Sequence, residues 1–109
     1  MECEISLTDN TILATLDGEI DHHTAKMIRE KIDSQIENSL CKTLIIDFSD
    51  VSFMDSSGIG LIMGRYKLMK QRQGEVKIKN PSPNTLRVLK LAGMDRLAKI
   101  ERNEEKWRL

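Results

Sequence analysis

Two adjacent serines, Ser56 and Ser57, have the residue type and the setting for a modification reaction. They follow Asp55 and precede Gly58-Ile59-Gly60, shortly after the mostly apolar run Thr43–Phe48. Such a run, followed by a short loop and the start of a helix, places a serine hydroxyl beside the free N–H groups of a first helical turn. Because those N–H groups favour negative charge, the pattern predicts an exposed serine that can carry a phosphate.

Either serine could instead serve only as the N-cap of the helix, a position that serine favours. Two glycines, Gly58 and Gly60, count against that simpler role, because each costs about 1 kcal/mol relative to alanine inside a helix. Glycines leave the backbone bare and allow the surface of another protein to come close. Phe53 and Met54, just before the serines, are apolar where a loop is normally polar. The stretch therefore indicates a site of contact with a partner protein.

A phosphate on Ser56 would act through its charge. It adds about −1.5 to −2 charges at neutral pH, which the N–H groups of the first helical turn would partly accommodate. Asp55 next to it, and Asp21 from another loop, would repel it. A partner that packs on the start of this helix would lose fit and meet unfavourable charge. We therefore expect phosphorylation to release a partner without refolding the domain.

The elements that position the serines begin with two strands and a helix. Residues 3–7 and 11–16 alternate apolar and polar side chains, as the strands of a hairpin do, and Asp17-Gly18-Glu19 is expected to break the second strand. From Thr24 to Asn38 apolar residues recur at three- and four-residue steps, which predicts an amphipathic helix. Asp21 and Thr24 are both candidates for its N-cap.

The second half of the chain alternates strands with helices. The predicted elements are a strand at Thr43–Phe48 covered on both faces, a helix from Ser56 or Ser57 to about Gln73, a strand over residues 75–79, a short helix from Pro83 to about Gly93 and a weak strand over residues 97–100. Gly74 marks the end of the first of these helices and Ser82 is the N-cap of the second. The order β-β-α-β-α-β-α-β predicts an α/β fold with a mixed, largely parallel sheet flanked by helices.

Composition bounds the class of protein. The chain has 109 residues, which fits one domain, with a core over about residues 3–100 and a charged tail over residues 101–109. Its 17 basic residues equal its 17 acidic residues, so it lacks the basic excess that nucleic-acid binding requires. Cys3 and Cys41 form no metal-type spacing and fit a reducing compartment. Because no signal-peptide pattern and no apolar run of membrane-spanning length is present, we expect a soluble cytoplasmic protein.

Two motifs carry a resemblance to a known family. They are Gly18-Glu19-Ile20-Asp21-His22-His23-Thr24-Ala25 and Phe53-Met54-Asp55-Ser56-Ser57-Gly58-Ile59-Gly60. In type, order and spacing they resemble the anti-sigma factor antagonists of the STAS family, and within it the sporulation-type antagonists of the anti-sigma-F factor. Gly64-Arg65-Tyr66-Lys67 and Gly74-Glu75 also fit that pattern, and the resemblance covers about residues 3–100. The predicted order of strands and helices matches the STAS fold.

The resemblance implies a specific function. The first serine after the aspartate, here Ser56, is the phosphorylated residue of the family, and the modifying enzyme is the anti-sigma factor itself, an ATP-using serine kinase. The unphosphorylated antagonist binds that kinase and frees the sigma factor. Phosphorylation inactivates the antagonist, and a serine phosphatase restores the unphosphorylated, active form. The implied binding surface consists of Asp21, His22, Asp55, Ser56, Ser57, Gly58, Ile59 and Gly60. We expect no catalytic residues, no cofactor, no metal, no nucleic-acid or membrane partner, and a monomer when the protein is unbound.

Other functions compete with this interpretation. Asp21-His22-His23 spells the signature of a manganese phosphoesterase superfamily, but these are the chain's only histidines, and a working site needs several further Asp and His ligands. The spacing G-x-G-x-x-x-G over residues 58–64 differs from a dinucleotide loop, and close packing of the helix on a neighbour explains Gly60 and Gly64 better. Ser56 lacks the G-x-S-x-G elbow of a catalytic serine. A STAS domain of another partner-switching system, such as a stressosome-type system, is the alternative within the family.

Overall fold

Five strands form one sheet whose spatial order follows their order in the chain. The protein is described over residues 2–102 by a computed structural model. Its elements are β1 (Glu2–Thr8), β2 (Thr11–Ile20), α1 (His22–Glu37), β3 (Thr43–Met54), α2 (Ser56–Gln71), β4 (Glu75–Lys79), α3 (Pro83–Leu91), a 3-10 turn (Met94–Arg96) and β5 (Lys99–Glu101). β1 pairs antiparallel with β2, and the remaining neighbours pair in parallel, in the order β1-β2-β3-β4-β5. The predicted order of elements and the mixed, largely parallel sheet are confirmed.

The three helices cover one face of the sheet. Each parallel crossover joins neighbouring strands, and because such crossovers are right-handed, all of them place their helices on the same side. Strand residues that point to this side, such as Ile12, Leu44 and Ile46, are fully buried. Leu13 and Ile45 alternate with them and are only partly buried. The expectation that the strand at Thr43–Phe48 is covered on both faces is therefore wrong.

The second and third strands are longer than predicted. β2 continues through Asp17-Gly18-Glu19 to Ile20, and β3 continues past Phe48 to Met54. The register between these strands shifts twice, the second time after Gly18, whose φ of 113° is a conformation that favours glycine. The predicted break at residues 17–19 and the predicted loop after Phe48 are wrong, because the irregularities let both strands bend and remain paired.

Both helices next to the predicted site begin at aspartate N-caps. Asp21 caps α1 and forms a capping box with Thr24. Of the two predicted candidates for this N-cap, Asp21 and Thr24, Asp21 is the correct one. Asp55 caps α2 through a hydrogen bond from the backbone N–H of Ser57 to Asp55 Oδ1, at 2.8 Å. The alternative that Ser56 or Ser57 is the N-cap is wrong, since the two serines are the first two residues inside the helix.

The last third of the chain follows the prediction more closely. α2 ends at Gln71, and Gly74 permits a close approach of the backbone, because a Cβ there would lie 2.6 Å from the carbonyl oxygen of Lys42. α3 begins as predicted, with Ser82 as N-cap and Pro83 as the first residue.

The final strand extends into the predicted tail. β5 includes Glu101, which the sequence pattern assigned to the charged tail. Most of that tail, residues 103–109 with Trp107, lies outside the described residues. Over the part of the chain that the structure describes, no helix is long and apolar enough to cross a membrane.

Candidate partner-binding site

The two predicted motifs meet because β2 and β3 end side by side. Ile20 and Met54 are paired in the parallel ladder, and the backbone N–H of Asp55 donates a hydrogen bond to the carbonyl oxygen of Ile20 at 3.1 Å. Asp21 and Asp55 therefore follow directly from neighbouring strand ends, and α1 and α2 start beside each other. The structure brings together the two segments that the sequence analysis placed at one site.

Asp21 is held in place by the start of α1. Its Oδ1 accepts hydrogen bonds from the backbone N–H groups of His23 and Thr24, both at 2.9 Å. The Thr24 hydroxyl in turn accepts from the backbone N–H of Asp21 at 2.8 Å. The hydrogen bond from the Thr24 backbone is the main reason that the pKa of Asp21 lies below its ordinary value of 3.8, with smaller contributions from the Thr24 side chain and from His23. The carboxylate is thus charged and oriented at the rim of the site.

Ser56 is presented to solvent by the cap that precedes it. Asp55 supplies the capping oxygen for Ser57 N–H, so capping the helix does not require either serine hydroxyl. Ser56 is exposed and Ser57 is partly buried. Among residues 2–102 the Ser56 hydroxyl forms no hydrogen bond, and it lies at the first position of α2, where backbone N–H groups favour an anion. The Ser56 hydroxyl is therefore accessible to a modifying enzyme.

An apolar groove lies beside Ser56, between the start of α2 and the end of α3. Its volume is about 490 Å³ and it is lined by Met54, Asp55, Ser56, Ile59, Val88, Leu91 and Ala92. Leu91 is 82% exposed, and Phe53, which is 53% exposed, lines an adjoining hollow with Val88. The sequence analysis missed the contribution of α3. The sequence did contain one sign of this contribution, because Leu91 is an apolar residue that lies outside the apolar stripe of α3.

A second recess, which we call the cationic cleft, lies on the other side of α2 against α1. Its volume is about 340 Å³ and it is lined by His22, Ala25, Lys26, Arg29, Ser57, Gly60 and Leu61. Successive residues of an α-helix point about 100° apart, so Ser56 faces the groove while Ser57 faces this cleft. Of the predicted binding residues, His22, Ser57 and Gly60 lie here. The first turn of α2 is therefore a ridge between an apolar recess and a basic one.

The glycines of α2 have different roles from those predicted. Gly58 is buried, and a Cβ there would collide with Cγ and Sδ of Met54, so internal packing explains this glycine. At Gly60 and Gly64 a Cβ would meet no atom within 4 Å among the described residues. The prediction that these two glycines pack closely on a neighbouring element is wrong, and of the two glycines expected to admit a partner only Gly60 is exposed.

The residues of the alternative metal motif do not gather a ligand set. Within residues 2–102 no group of three or more His, Cys, Asp or Glu side chains is placed to hold a metal ion. The rings of His22 and His23 are 5.7 Å apart between centroids and inclined at 64°, and the Asp21 carboxylate accepts from the backbone. These residues give the phosphoesterase alternative no support.

Comparison with known proteins agrees with this geometry. Residues 3–107 match the STAS domain family. The chain is 35% identical over 104 residues to an anti-sigma F factor antagonist of Paenibacillus polymyxa, covering 95% of this chain and 89% of that protein. It is 31% identical over 102 residues to an anti-sigma-B factor antagonist of Bacillus subtilis strain 168, covering 94% and 92%.

Solved structures extend the similarity to both states of phosphorylation. The anti-sigma factor antagonist SpoIIAA in its unphosphorylated form matches with a TM-score of 0.83 at 33% identity, covering 95% of this chain and 91% of that chain. The Bacillus cell fate determinant SpoIIAA in its phosphorylated form matches with a TM-score of 0.75 at 34% identity, covering 95% of each chain.

Proposed function

We propose, from the premise that this chain belongs to the STAS-domain family of anti-sigma factor antagonists, that its unphosphorylated form binds a kinase anti-sigma factor and that phosphorylation of Ser56 ends this binding. Anti-sigma factor antagonists are regulatory proteins without enzymatic activity, which confirms the prediction that the chain is not an enzyme. Binding of the antagonist would release the sigma factor that the anti-sigma factor holds. The protein acts as one partner in a switch.

The observation that carries this proposal is the setting of Ser56. Its hydroxyl is exposed at the first position of α2, outside the hydrogen bonds that cap the helix, and it forms one wall of the apolar groove. A kinase that reaches Ser56 must cover the groove, because the serine is part of its lining. Ser57, by contrast, is partly buried and its backbone N–H is bound to Asp55. Ser56 is thus the better acceptor of the two.

A phosphate on Ser56 would change the charge of the contact surface. It adds about −1.5 to −2 charges next to Asp55 and near Asp21, which is held in its charged form. A partner surface that is complementary to the neutral Ser56 hydroxyl would then have to cover a charged phosphate, which costs desolvation energy and places unfavourable charge in the contact. Since Ser56 is exposed, the phosphate requires no rearrangement of the core. Loss of binding without refolding is the expected result.

The proposed contact surface contains most of the residues implied by the family resemblance. Its exposed or partly buried members are Asp21, His22, Asp55, Ser56, Ser57, Ile59 and Gly60, and buried Gly58 shapes it from beneath. To these we add Val88, Leu91 and Ala92 of α3, which line the groove. We further propose a single STAS domain, a monomer when unbound, a cytoplasmic location beside the transcription machinery and a serine phosphatase that reverses the modification.

The test is phosphorylation by a cognate kinase anti-sigma factor with ATP, followed by mass spectrometry of the intact protein and of its peptides. We expect one phosphate, on Ser56. Ser56→Ala should accept no phosphate and keep the affinity for the anti-sigma factor, whereas Ser56→Asp should bind at least about tenfold more weakly. Ser57→Ala is the matched control for the site of modification and should still accept one phosphate, on Ser56.

Two results would contradict the proposal. A phosphate placed on Ser57 or elsewhere would show that the exposed hydroxyl is not the acceptor. Equal affinity of Ser56→Asp and wild type would show that negative charge at the ridge does not control binding. Because the chain is similar to antagonists of both the anti-sigma F and the anti-sigma-B factor, each assay is run with both kinds of anti-sigma factor.

A further inference from the structure

We propose that the cationic cleft between α1 and α2 receives an acidic segment of the kinase anti-sigma factor. This inference rests on the proposed function and gives it a second contact, of opposite chemistry to the apolar groove. The partner would then straddle the first turn of α2. Apolar side chains would enter the groove beside Ser56, and carboxylates would enter the cleft beside Ser57.

The charge of the lining identifies the occupant. Lys26 and Arg29 lie three residues apart on one face of α1, both are exposed, and His22 lies one turn before Lys26. No acidic side chain is among the residues that line this cleft over the described part of the chain. Arg and Lys bind carboxylates through charge-assisted hydrogen bonds. A segment rich in Asp or Glu is therefore complementary to this wall.

Acidic residues near the cleft are directed elsewhere. The carboxylate of Asp33, one turn after Arg29, forms its ion pair with Nε of Arg65 at 2.9 Å, and the attraction that Arg29 also exerts on it is weaker than that of Arg65. The carboxylate of Asp21 accepts hydrogen bonds from the start of α1. Glu30 is four residues after Lys26, a spacing that often gives an ion pair. No such pair forms within 4 Å in residues 2–102. The positive charge of the cleft is thus available to a partner.

The floor of the cleft supplies an independent observation. A Cβ at Gly60 would meet no atom of the described residues within 4 Å, so packing inside this chain does not require glycine there. Glycine weakens the interior of a helix relative to alanine, which makes its presence at an open position unfavourable for the isolated protein. A partner segment that lies against the helix backbone would occupy that space. The cleft is therefore both charged and kept open.

Its position assigns the cleft to the same partner as Ser56. Ser57, the next residue along the ridge, lines the cleft, while Ser56 lines the groove. An enzyme that transfers a phosphoryl group to Ser56 must cover this turn of the helix. Its surface then extends over the cleft, and charged contacts at the rim of an interface mainly control the rate of association and its salt dependence.

The experiment compares binding of the unphosphorylated protein to the kinase anti-sigma factor at low and at high salt. A double variant, Lys26→Glu with Arg29→Glu, should bind roughly tenfold or more weakly at low salt. Because the reversed charges repel an acidic segment, added salt should no longer weaken its binding as it does for wild type. Lys67→Glu with Lys70→Glu, at exposed positions further along α2, changes the net charge equally and should bind within about threefold of wild type. Circular dichroism of each variant checks folding.

A second pair of variants tests the open floor. Gly60→Leu places a side chain in the cleft and should weaken binding by roughly tenfold, whereas Gly64→Leu, one turn further along the same face and outside the lining, should bind as wild type does. Gly64 is a matched control because its Cβ space is also empty.

Separate outcomes distinguish the inference from the proposed function. If the wild type is phosphorylated on Ser56 and the Lys26 and Arg29 variant binds as tightly as wild type, the cleft is not a contact and only this inference is overturned. Equal weakening of both charge-reversed pairs would also overturn it, because net charge alone would then explain the effect. If the wild type neither binds nor is phosphorylated, the proposed function fails first.

Discussion

The division of roles between Asp55 and the two serines defines the site at the scale of single residues. Asp55 satisfies the N–H of Ser57, which leaves the Ser56 hydroxyl outside the cap. The sequence analysis predicted Ser56 as the modifiable residue and gave capping by either serine as the alternative. Asp and Ser are nearly equal as N-caps, so adjacent candidates cannot be ranked by residue type. The pairing of β3 with β2 up to Met54 decides the position, and that pairing depends on tertiary structure.

Asp21 allows a prediction of pH dependence at this scale. Because hydrogen bonds from the start of α1, led by the Thr24 backbone, lower its pKa in the folded protein from 3.8, the charged form stabilises the fold. This stabilisation is fully present when the pH is above the pKa of Asp21 in the unfolded protein. It is lost as the pH falls through the lower pKa of Asp21 in the folded protein. Asp21→Asn keeps the capping oxygen and does not titrate. We expect its unfolding midpoint in urea to fall less than that of wild type between about pH 5 and about pH 2.

Asp33 is the matched comparison because its pKa is shifted in the opposite direction. Burial raises the pKa of Asp33 in the folded protein, and the nearby charge of Arg65 only partly offsets this. The folded state therefore holds that proton more tightly than the unfolded state, and Asp33 makes stability fall as pH rises from about 4. In Asp33→Asn, the decrease in stability that Asp33 causes as pH rises should be absent. If both variants change the pH profile in the same direction, the assigned shifts are wrong.

At the scale of elements, two arginines connect α2 to α1, one within α2 and one at its C-terminal end. Arg65 in α2 forms a mostly buried ion pair with Asp33 in α1. Arg72, the C-cap of α2, donates from its guanidinium to the carbonyl oxygens of Ile36 and Ser39, the latter at 2.5 Å. These carbonyls lie at the C-terminal end of α1, where a cation is favourable. At the end of the helix pair that lies away from Ser56, these side-chain contacts hold α1 and α2 together, and residues of the site do not take part in them.

Arg72 should be important for stability and unimportant for binding. Arg72→Ala removes the charged donors at the end of α1, and we expect a loss of about 1–2 kcal/mol in the free energy of unfolding. The free energy of unfolding of Arg72→Lys should lie between those of wild type and Arg72→Ala, because the lysine ammonium lacks the planar set of donors of the guanidinium. Arg87→Ala, at an exposed position of α3, should stay within about 0.5 kcal/mol of wild type. Urea unfolding measures these differences.

Affinity for the anti-sigma factor provides the control for this prediction. Arg72 lies at the opposite end of α2 from Ser56, and sixteen helical residues span about 24 Å. Arg72→Ala should therefore bind the partner as wild type does while it remains folded. Tenfold weaker binding in a folded variant would contradict the separation of the cap from the site.

The helices were easier to predict than the ends of β2 and β3. The stripe of α1 and the Ser82-Pro83 start of α3 follow from local spacing and capping chemistry. Asp17-Gly18 has the composition of a turn, yet it lies inside a bent strand, because its backbone groups pair with β3. The apolar groove could not be predicted for a similar reason. It exists only because the tertiary structure brings residues of α2 and α3 to one recess at the end of β3 and leaves Leu91 exposed.

At the scale of the whole molecule, the consecutive strand order determines where the site lies. Parallel strands with helices on one face place their carboxyl ends and the following helix starts along one edge of the sheet. Ser56 and the cap residues Asp21 and Asp55 lie along that edge. The buried apolar residues form a cluster beneath the helices. Met54 and Leu61 belong to it and also line the groove and the cleft, whereas Ser56 lies outside it. Chemistry at the edge can therefore change without disturbing the core.

This separation leads to a prediction for the phosphorylated protein. The helix N-terminus favours a phosphate by about 0.3–1 kcal/mol, and repulsion from Asp55 and Asp21 opposes it by a similar amount. We expect phosphorylation of Ser56 to leave the far-UV circular dichroism and the urea m value unchanged and to shift the free energy of unfolding by no more than about 1 kcal/mol. A fall in the m value, or new protease cleavage sites in β3 or α2, would contradict this. The switch would then act by unfolding part of the domain, and the electrostatic explanation of partner release would fail.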